Sequence, residues 1–551
     1  MIRRLALILT VLTPLPFGQA ETIPPKTPRS TVLKAAQILD VKSGTYLPNQ
    51  AIWIEGERIR EIGSISNIQS HAPPDAILID LGQATLLPGL IDCHAHILGN
   101  LDDYSSTQAL RLSSSQQTVW GMSNLRIWLD HGFTGLRDAC ESDLGYGQFA
   151  LRDGVSRGLI DGPRIAACGG CISLNGGHGD ANVLAPDQPL PRRANVADTV
   201  DEVVTAVRRD LKYGADWIKL MATGGILDPF SDYKTQELSE AQMAKAVEVA
   251  HRAGRRVMVH AEGTEGIKAA VRAGVDSIEH GTVLDEEGAR LMEAKGIWLV
   301  PTLSTFQYGI EQGEKLGLEP VMLEKLRSII KFQPGAFHLA LKHHLKIAFG
   351  LDNAPKLLPR EFVALVNGGM QPIDAIRAAT TNAAELLNWP DCGSIETGKV
   401  ADLIATAGDP LKNIEELGSV KFVMKSGRIV KNQLRTGAAP SEGPNQSTTH
   451  MIGRLWHGYT TPKDAEIYQE MLLTKILPGI HRVDGYKGTY LLRKDGADEV
   501  EFITLTLWDS LEAVKRFAGP DYEASVIAPE AKHLMIRHDE RSVHYQAIWS
   551  E

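Results

Sequence analysis

One segment organises the rest of this sequence: Leu86-Leu87-Pro88-Gly89-Leu90-Ile91-Asp92-Cys93-His94-Ala95-His96. It combines an apolar strand signal with two histidines at its end. His94 and His96 are two residues apart, so both side chains point to the same face of a strand. Two imidazoles on one face can hold one metal ion. By itself, the pair is equally compatible with two core or surface histidines.

Eight apolar strand signals, several of them separated by helical patterns, run through about 300 residues that begin at this segment. They lie at 86–91, 135–138, 165–167, 217–221, 256–260, 277–279, 298–300 and 346–349. This alternation predicts an α/β fold, the (β/α)8 TIM barrel. A doubly wound open sheet is the main alternative. It would usually carry a Gly-rich phosphate loop after its first strand, and none occurs there.

Shorter strand signals flank the predicted barrel (89–388), at 30–88 and 389–435. Neither stretch is long enough to be a stable sandwich alone. We therefore expect both to form one split β-sandwich domain into which the barrel is inserted. A polar linker (436–449) follows, and residues 450–551 show the order βαββαβ, which predicts an α+β ferredoxin-like domain.

The first 20 residues have the layout of a signal peptide. Arg3 and Arg4 precede an apolar run at 5–12, and Gly18-Gln19-Ala20 places small residues at a cleavage position. The apolar run is too short to span a bilayer, and a short membrane anchor is the alternative. We expect a periplasmic or secreted protein with no stable membrane span.

Composition excludes several classes of protein. The 551 residues include 57 Lys plus Arg and 67 Asp plus Glu, a net charge of −10, which argues against a nucleic-acid partner. Five cysteines are too few for a disulfide scaffold. Cys168 and Cys171 form a lone C-x-x-C, for which we predict neither a zinc nor a redox role. Whether these two cysteines are paired stays open.

Three more potential ligands follow predicted barrel strands. His260 ends the strand at 256–260, His280 follows 277–279, and Asp352 follows 346–349. The C-terminal ends of the strands form the catalytic face of a TIM barrel. Together with the two histidines of the first segment, these residues indicate one metal centre.

Lys219 lies inside a strand that should be buried, 217–221. An uncompensated buried ammonium is costly, so such a lysine tends to lose its proton. The neutral amine can react with CO2 to give a carbamate, an anionic ligand with two oxygens that can bridge two metals. An ion-paired or snorkelling lysine is the alternative for this segment taken alone.

Several motifs resemble the amidohydrolase superfamily, and within it the imidazolonepropionase-like and Xaa-Pro dipeptidase-like metal-dependent hydrolases. The matching segments are 88–96, 132–138, 162–164, 176–180, 214–219, 278–281 and 398–403. The resemblance covers residues 30–432 and implies a binuclear zinc site. His94 and His96 would hold one zinc ion, and His260 and His280 the other. Lys219, as N6-carboxylysine, would bridge both.

The resemblance also implies that Asp352 binds the first zinc ion and is catalytic. It would shuttle the proton from a metal-bridging hydroxide to the leaving nitrogen. The implied function is hydrolysis of amide bonds in dipeptides or N-acyl amino acids, Xaa-Pro dipeptides included. Cyclic amides, lactones or xenobiotic amides are alternative substrates. Alternatives of another class are a non-catalytic binding protein and an oxygenase led by the C-terminal domain.

Residues around the implied site leave its specificity open. Glu262 stands where many relatives carry a histidine, Leu351 stands where Thr or Ser is common, and the segment 352–361 is short. His178 and Tyr233 lie in loops that face the substrate in relatives, so either could bind a carboxylate or an oxyanion. Simple loop packing is the alternative for both.

Residues 449–551 resemble antibiotic-biosynthesis-monooxygenase-like domains. The resemblance rests on Arg454-Leu455-Trp456-His457-Gly458, on 500–508 and 517–519, and on His544-Tyr545. Such folds commonly dimerise sheet against sheet, which implies a homo-oligomer. We expect a dimerisation or accessory module, because no metal-ligand cluster supports an oxygenase and a fold alone does not give a chemistry.

Overall fold

The computed structural model describes residues 30–103, 105, 107–180, 183–188, 193–434, 452–480 and 483–546. The predicted signal peptide (1–20) and linker (436–449) lie outside these residues. The chain divides into two compact units, Met1–Thr436 and Gly437–Glu551. Within the described ranges, no helix combines the length and the apolarity needed to cross a membrane.

The first unit begins with strands of the composite β-domain. In chain order its elements are β1 (Ser30–Asp40), β2 (Thr45–Glu55), β3 (Arg58–Ser64), α1 (Ile65–His71), β4 (Ile77–Asp80) and β5 (Thr85–Pro88). β1 is antiparallel to β2 and parallel to β4 and β5, with which it also pairs. Gly56, in the turn that joins β2 to β3, has a φ of 60°, a conformation that favours glycine.

The barrel elements follow. They are β6 (Leu90–Ala95), α2 (Gln108–Arg111), α3 (Ser114–Asp130), β7 (Phe133–Asp138), α4 (Gly147–Ser156), β8 (Arg164–Ala166), β9 (Cys168–Ile172), α5 (Val200–Tyr213), β10 (Trp217–Met221), α6 (Glu240–Arg252), β11 (Arg256–Ala261), α7 (Thr264–Ala273), β12 (Ser277–His280), α8 (Glu286–Lys295), β13 (Trp298–Val300), α9 (Leu303–Gln312), α10 (Pro320–Ile329), α11 (Gln333–Lys342), β14 (Lys346–Ile347), α12 (Leu358–Asn367), α13 (Pro372–Ala378) and α14 (Thr381–Leu387).

These strands pair in parallel and close into a ring. The order β6-β7-β8 forms one sheet and β9 to β14 another, and only Ala167 separates β8 from β9. Where β6 meets the segment after β14, the backbone N of Cys93 donates to the carbonyl of Phe349 at 2.8 Å. This arrangement confirms the predicted TIM-barrel architecture.

Strand β10 shows how the barrel core determines which side chains reach the site. All five of its residues are buried. Ile218 and Leu220 belong to the large apolar core that also includes buried residues of the surrounding helices, whereas Trp217 and Met221 pack in the smaller cluster inside the barrel. Because side chains alternate along a strand, Lys219 shares the inward face with these two residues.

After the barrel, the chain returns to the first sheet with β15 (Leu403–Thr406), β16 (Phe422–Lys425) and β17 (Arg428–Asn432). β15 pairs with β5, which gives the order β17-β16-β15-β5-β1-β2-β3, with β4 beside β1. Ile59 and Met424, from opposite ends of this order, lie in one apolar core. The sheet therefore curls around an interior to which both flanking stretches contribute.

The second unit contains β18 (Ile452–Thr460), α15 (Ala465–Met471), a π-helical turn (Leu472–Ile476), α16 (Leu477–Ile480), β19 (Tyr486–Asp495), β20 (Val500–Trp508), α17 (Leu511–Ala518), α18 (Pro529–Lys532), β21 (Met535–His538) and β22 (Val543–Gln546). Its antiparallel sheet has the order β19-β20-β18-β21, and β22 also pairs with β18. Helices cover one face, where Tyr468 packs on Phe502 and Phe517 packs on Trp508.

Candidate metal centre

All six predicted metal ligands come together at the C-terminal ends of the barrel strands. They line one cavity of about 370 Å3: His94, His96, Lys219, His260, His280 and Asp352. The sequence placed them on five different strands or strand ends, and the closed ring brings those ends to one mouth.

Asp352 lies at the centre of a first group of ligand atoms. Its Oδ1 is 3.2 Å from Nε2 of His96 and 3.6 Å from Nε2 of His94. Ligand atoms of His94, His280 and Asp352 all lie within 4.8 Å of one another. Ligand atoms around one tetrahedral zinc ion are about 3.3 Å apart, so this spacing suits a metal ion.

A second group adjoins the first. Ligand atoms of His260, Glu262 and His280 also lie within 4.8 Å of one another. Lys219 enters the same cavity from β10, beside β11, and its side chain is 2% exposed. Among the described residues, no hydrogen bond or ion pair reaches its Nζ, which leaves the amine available for a ligand.

The protein holds one ring nitrogen of each of the two histidines at the end of β6. Nδ1 of His94 lies 2.7 Å from a carboxylate oxygen of Glu279, and Nδ1 of His96 lies 2.7 Å from the carbonyl of Cys140. A carbonyl oxygen only accepts, so Nδ1 of His96 carries the proton. Nε2 of each ring then offers its lone pair on the side of Asp352.

The other two histidines are oriented in the same way. Nε2 of His260 donates to the carbonyl of Gly224 at 3.1 Å, which leaves Nδ1 with a free lone pair. Nδ1 of His280 is hydrogen-bonded to Oγ1 of Thr302 at 2.7 Å, which leaves Nε2 as the ring nitrogen that can bind a metal ion. Hydrogen bonds that orient the ring in this way are typical of metal-ligating histidines.

A buried ion pair lies behind His94. Arg137 and Glu279 are both fully buried, and Nη2 of Arg137 donates to both carboxylate oxygens at 2.8 Å. Nε of Arg137 donates to the carbonyl of Cys93. This network joins β6, β7 and β12 beneath the site, and it was not part of the predicted site. Its only sequence signal is the occurrence of charged residues inside apolar strands.

Burial controls protonation in the cavity. It lowers the pKa of Lys219 below the ordinary value of a lysine. Burial also lowers the pKa values of His94, His260 and His280, which favours their neutral form. Neutral imidazole and neutral amine are the states that bind a metal or react with CO2.

Backbone strain concentrates at the mouth. Cys140, His280, Thr302 and Asp352 have φ values of 101°, 69°, 46° and 55°, all in the left-handed region that non-glycine residues rarely adopt. Each such residue costs about 1–3 kcal/mol and persists where the surrounding structure enforces it, often at functional sites.

The structure places the two predicted substrate-binding residues differently. His178 lines the cavity, with its Nδ1 2.7 Å from a carboxylate oxygen of Asp228 and its ring centre 4.4 Å from that of His260. Tyr233 is buried in an apolar cluster, where its hydroxyl accepts from Oγ of Ser328 at 3.0 Å. It is not among the described residues that line the cavity.

The cysteines pair in a way that the sequence left open. Cys140, after β7, forms a disulfide with Cys171 on β9, and Cys168 is buried and free. The two bonded cysteines line the cavity. The disulfide therefore ties the ends of neighbouring barrel strands next to the carbonyl that holds His96.

Comparisons with known proteins agree with this geometry. Residues 85–430 match the profile of the amidohydrolase family. The ochratoxinase of Aspergillus niger is 32% identical over 429 residues, which span 72% of this chain and 86% of the ochratoxinase.

Two solved structures are similar over almost the same region. A prolidase complexed with N-methylphosphonate-L-proline is 32% identical, with a TM-score of 0.68, over 73% of this chain and 100% of the prolidase. A Xaa-Pro dipeptidase with methionine bound in its active site is 34% identical, with a TM-score of 0.67, over 73% of this chain and 100% of the dipeptidase.

Proposed function

Since this chain belongs to the amidohydrolase family and is a hydrolase of amide bonds, we propose that it cleaves dipeptides or N-acyl amino acids at a centre of two divalent metal ions. The convergence of six ligand residues in one cavity carries this proposal. The similar prolidase, Xaa-Pro dipeptidase and ochratoxinase support it as neighbours.

The donor set fits two zinc ions. Imidazole nitrogens with free lone pairs and buried carboxylate oxygens are ligands that Zn2+ accepts. His94, His96 and Asp352 would hold one ion, and His260 and His280 the other. When bound, the ions would acidify a water molecule to give the nucleophile and polarise the scissile carbonyl.

Lys219 would complete the centre as N6-carboxylysine. Its amine nitrogen attacks the carbon of CO2, an N–C bond forms, one proton leaves, and an anionic carbamate with two oxygens results. The buried position, the lowered pKa and the lack of an ion-pair partner in the described structure support this reaction. An ordinary solvated lysine would stay protonated and inert.

Asp352 would move the proton of the reaction. Its carboxylate lies 3.2 Å from Nε2 of His96 and lines the cavity, so it can accept a proton from the attacking water and deliver it to the leaving nitrogen. His178, beside His260, would orient the substrate carboxylate or the developing oxyanion.

The cavity walls favour a second substrate class. They include the apolar side chains of Leu98, Leu101, Ile226, Phe230 and Phe306. A wall of this kind binds apolar groups, and polar side chains such as Gln108 and Asn353 line the same cavity. Cyclic amides, lactones or xenobiotic amides are therefore the alternative substrates on the same ligands.

We also propose that the protein is exported to the periplasm or secreted. The predicted signal peptide supports this location, and so does the disulfide between Cys140 and Cys171, because disulfides persist in oxidising compartments.

The second unit is proposed to join two copies of the chain. One face of its sheet carries Tyr490, Leu492, Val543 and Tyr545, which are 60%, 52%, 50% and 52% exposed. The pairing of Tyr490 with Leu505 and of Val543 with Leu455 places these residues on the face opposite the helices. A second copy would bury this apolar face.

A substrate panel on the full-length protein tests the proposed function. We expect hydrolysis of Xaa-Pro dipeptides or N-acyl amino acids, loss of activity in a chelator and recovery with Zn2+. Turnover of lactams or aryl amides alone would favour the second substrate class. Fewer than one metal ion per chain in unchelated protein, or full activity in Lys219→Ala, would contradict the two-metal site.

A further inference from the structure

Glu262 lies in the barrel mouth but has no place in the ligand set described so far. It follows β11 directly, its side chain is 1% exposed, and it lines the cavity. Its backbone N donates to Oγ1 of Thr223 and its carbonyl accepts from the N of Val283, both at 3.0 Å. The carboxyl group is therefore held at the site by a fixed backbone.

One oxygen of this carboxyl group is buried without a donor. Oε2 of Glu262 has no hydrogen-bond partner in the described structure, and a buried carboxylate without donors or a cation is costly. The neighbouring Thr282 interacts with this carboxyl group through its hydroxyl and its backbone N, but no donor among the described residues reaches Oε2. Nε2 of His260 already donates to Gly224, so the Nδ1 of that ring is a lone pair.

Three electron-pair donors thus meet at one point. The ligand atoms of His260, Glu262 and His280 lie within 4.8 Å of one another. Lone pairs at this distance repel unless a proton or a cation lies between them. No salt bridge joins Lys219 to Glu262 in the described structure, so the lysine does not act as that cation.

We propose that Glu262 is an additional ligand of the metal ion held by His260 and His280. This inference rests on the two-metal site proposed above. With Lys219, it would give that ion four protein ligands, and a bound water or substrate oxygen would make it five-coordinate, as catalytic zinc sites can become. The carboxylate thereby fills a position that would otherwise be open, and the ion exchanges more slowly.

The test measures metal retention rather than turnover. Full-length protein and its Glu262→Gln, Glu262→Asp and Glu361→Gln variants are loaded with Co2+, their visible spectra are recorded, and release into excess chelator is followed. Glu361 is the matched control, because it is a fully buried glutamate whose carboxylate accepts from the backbone N of Leu303 and of Ser304, away from the cavity lining.

We expect Glu262→Gln to release one of its two ions at least roughly tenfold faster than the unaltered protein and to change the Co2+ spectrum. Glu262→Asp, which keeps a carboxylate, should release the ion at a rate between those of the unaltered protein and Glu262→Gln. If Glu262→Gln does not fold, Glu262→Asp is compared with the unaltered protein instead. Glu361→Gln should match the unaltered protein in both readouts.

Two results would overturn the inference. Unchanged release into chelator in Glu262→Gln would remove Glu262 from the ligand set, and an unchanged Co2+ spectrum would do the same. If the unaltered protein binds no Co2+, the two-metal function itself fails. These outcomes separate failure of the ligand role from failure of the site.

Discussion

The buried pair of Arg137 and Glu279 offers a sharp test of how the site is held together. We consider Glu279→Gln, which keeps the shape of the side chain and removes its charge. The guanidinium then stays buried without a counter-ion, and the amide retains one acceptor in place of two. The same change removes the anion that holds Nδ1 of His94.

The substitution is expected to lower both the stability of the fold and the affinity for the metal. Removing one partner of a fully buried ion pair costs about 3–5 kcal/mol, and the remaining amide oxygen keeps the expected loss near the lower end. For a unit of this size, that corresponds to a fall of roughly 5 °C in the melting temperature. Loss of a carboxylate behind a ligating histidine lowers metal affinity by about 10–100-fold.

The assay separates these effects. Thermal melting of metal-free protein reports the ion pair, and competition with a chelator reports the metal. Asp80→Asn is the control, because Asp80 pairs with Lys34 at 2.8 Å on the surface, where both side chains are about half exposed. Such a pair contributes at most about 1 kcal/mol. Equal melting temperatures and equal metal affinities for the two variants would refute the reasoning.

Other predictions follow from single features. Lys219→Met should abolish amide hydrolysis without unfolding the chain, as measured by turnover and circular dichroism, and retained turnover would contradict it. Burial raises the pKa of Glu361 to about 7 from 4.5, so its contribution to stability is complete below pH 4.5 and is lost as the pH rises through 7. The melting temperature should therefore fall more steeply between pH 4.5 and 7 for the unaltered protein than for Glu361→Gln. An equal dependence of the melting temperature on pH in both proteins would refute this. Tyr490→Asp should convert a dimer to monomers in sedimentation velocity, and an unchanged dimer would exclude this face.

The sequence predicted the barrel, and the positions of the proposed ligand histidines and of Asp352 at strand ends, for a local reason. Side chains alternate along a strand, and the chain order shows which residues stand at strand ends. These two facts placed His94, His96, His260 and Asp352 at one mouth once eight strands were counted. The sequence also predicts that Lys219 lies in a buried strand, and the structure shows that this strand is buried throughout.

Supporting contacts could not be read from the sequence, because they join residues that are far apart in the chain. His94 and Glu279 are 185 residues apart, and Arg137 and Glu279 are 142 apart. Neither partner carries a local sign of the other. The same holds for Tyr233, whose loop position suggested the substrate, whereas the structure buries its side chain in an apolar cluster.

The sequence by itself therefore determined that strands and helices alternate and which residue types stand at the strand ends, since periodicity and strand ends are local properties. Only the tertiary structure decided which nitrogen of each histidine is free, that Cys140 pairs with Cys171, and that Glu262 faces two histidines with an unsatisfied oxygen. Each of these depends on where the closing barrel brings distant strands together, and on which polar groups that closure deprives of water.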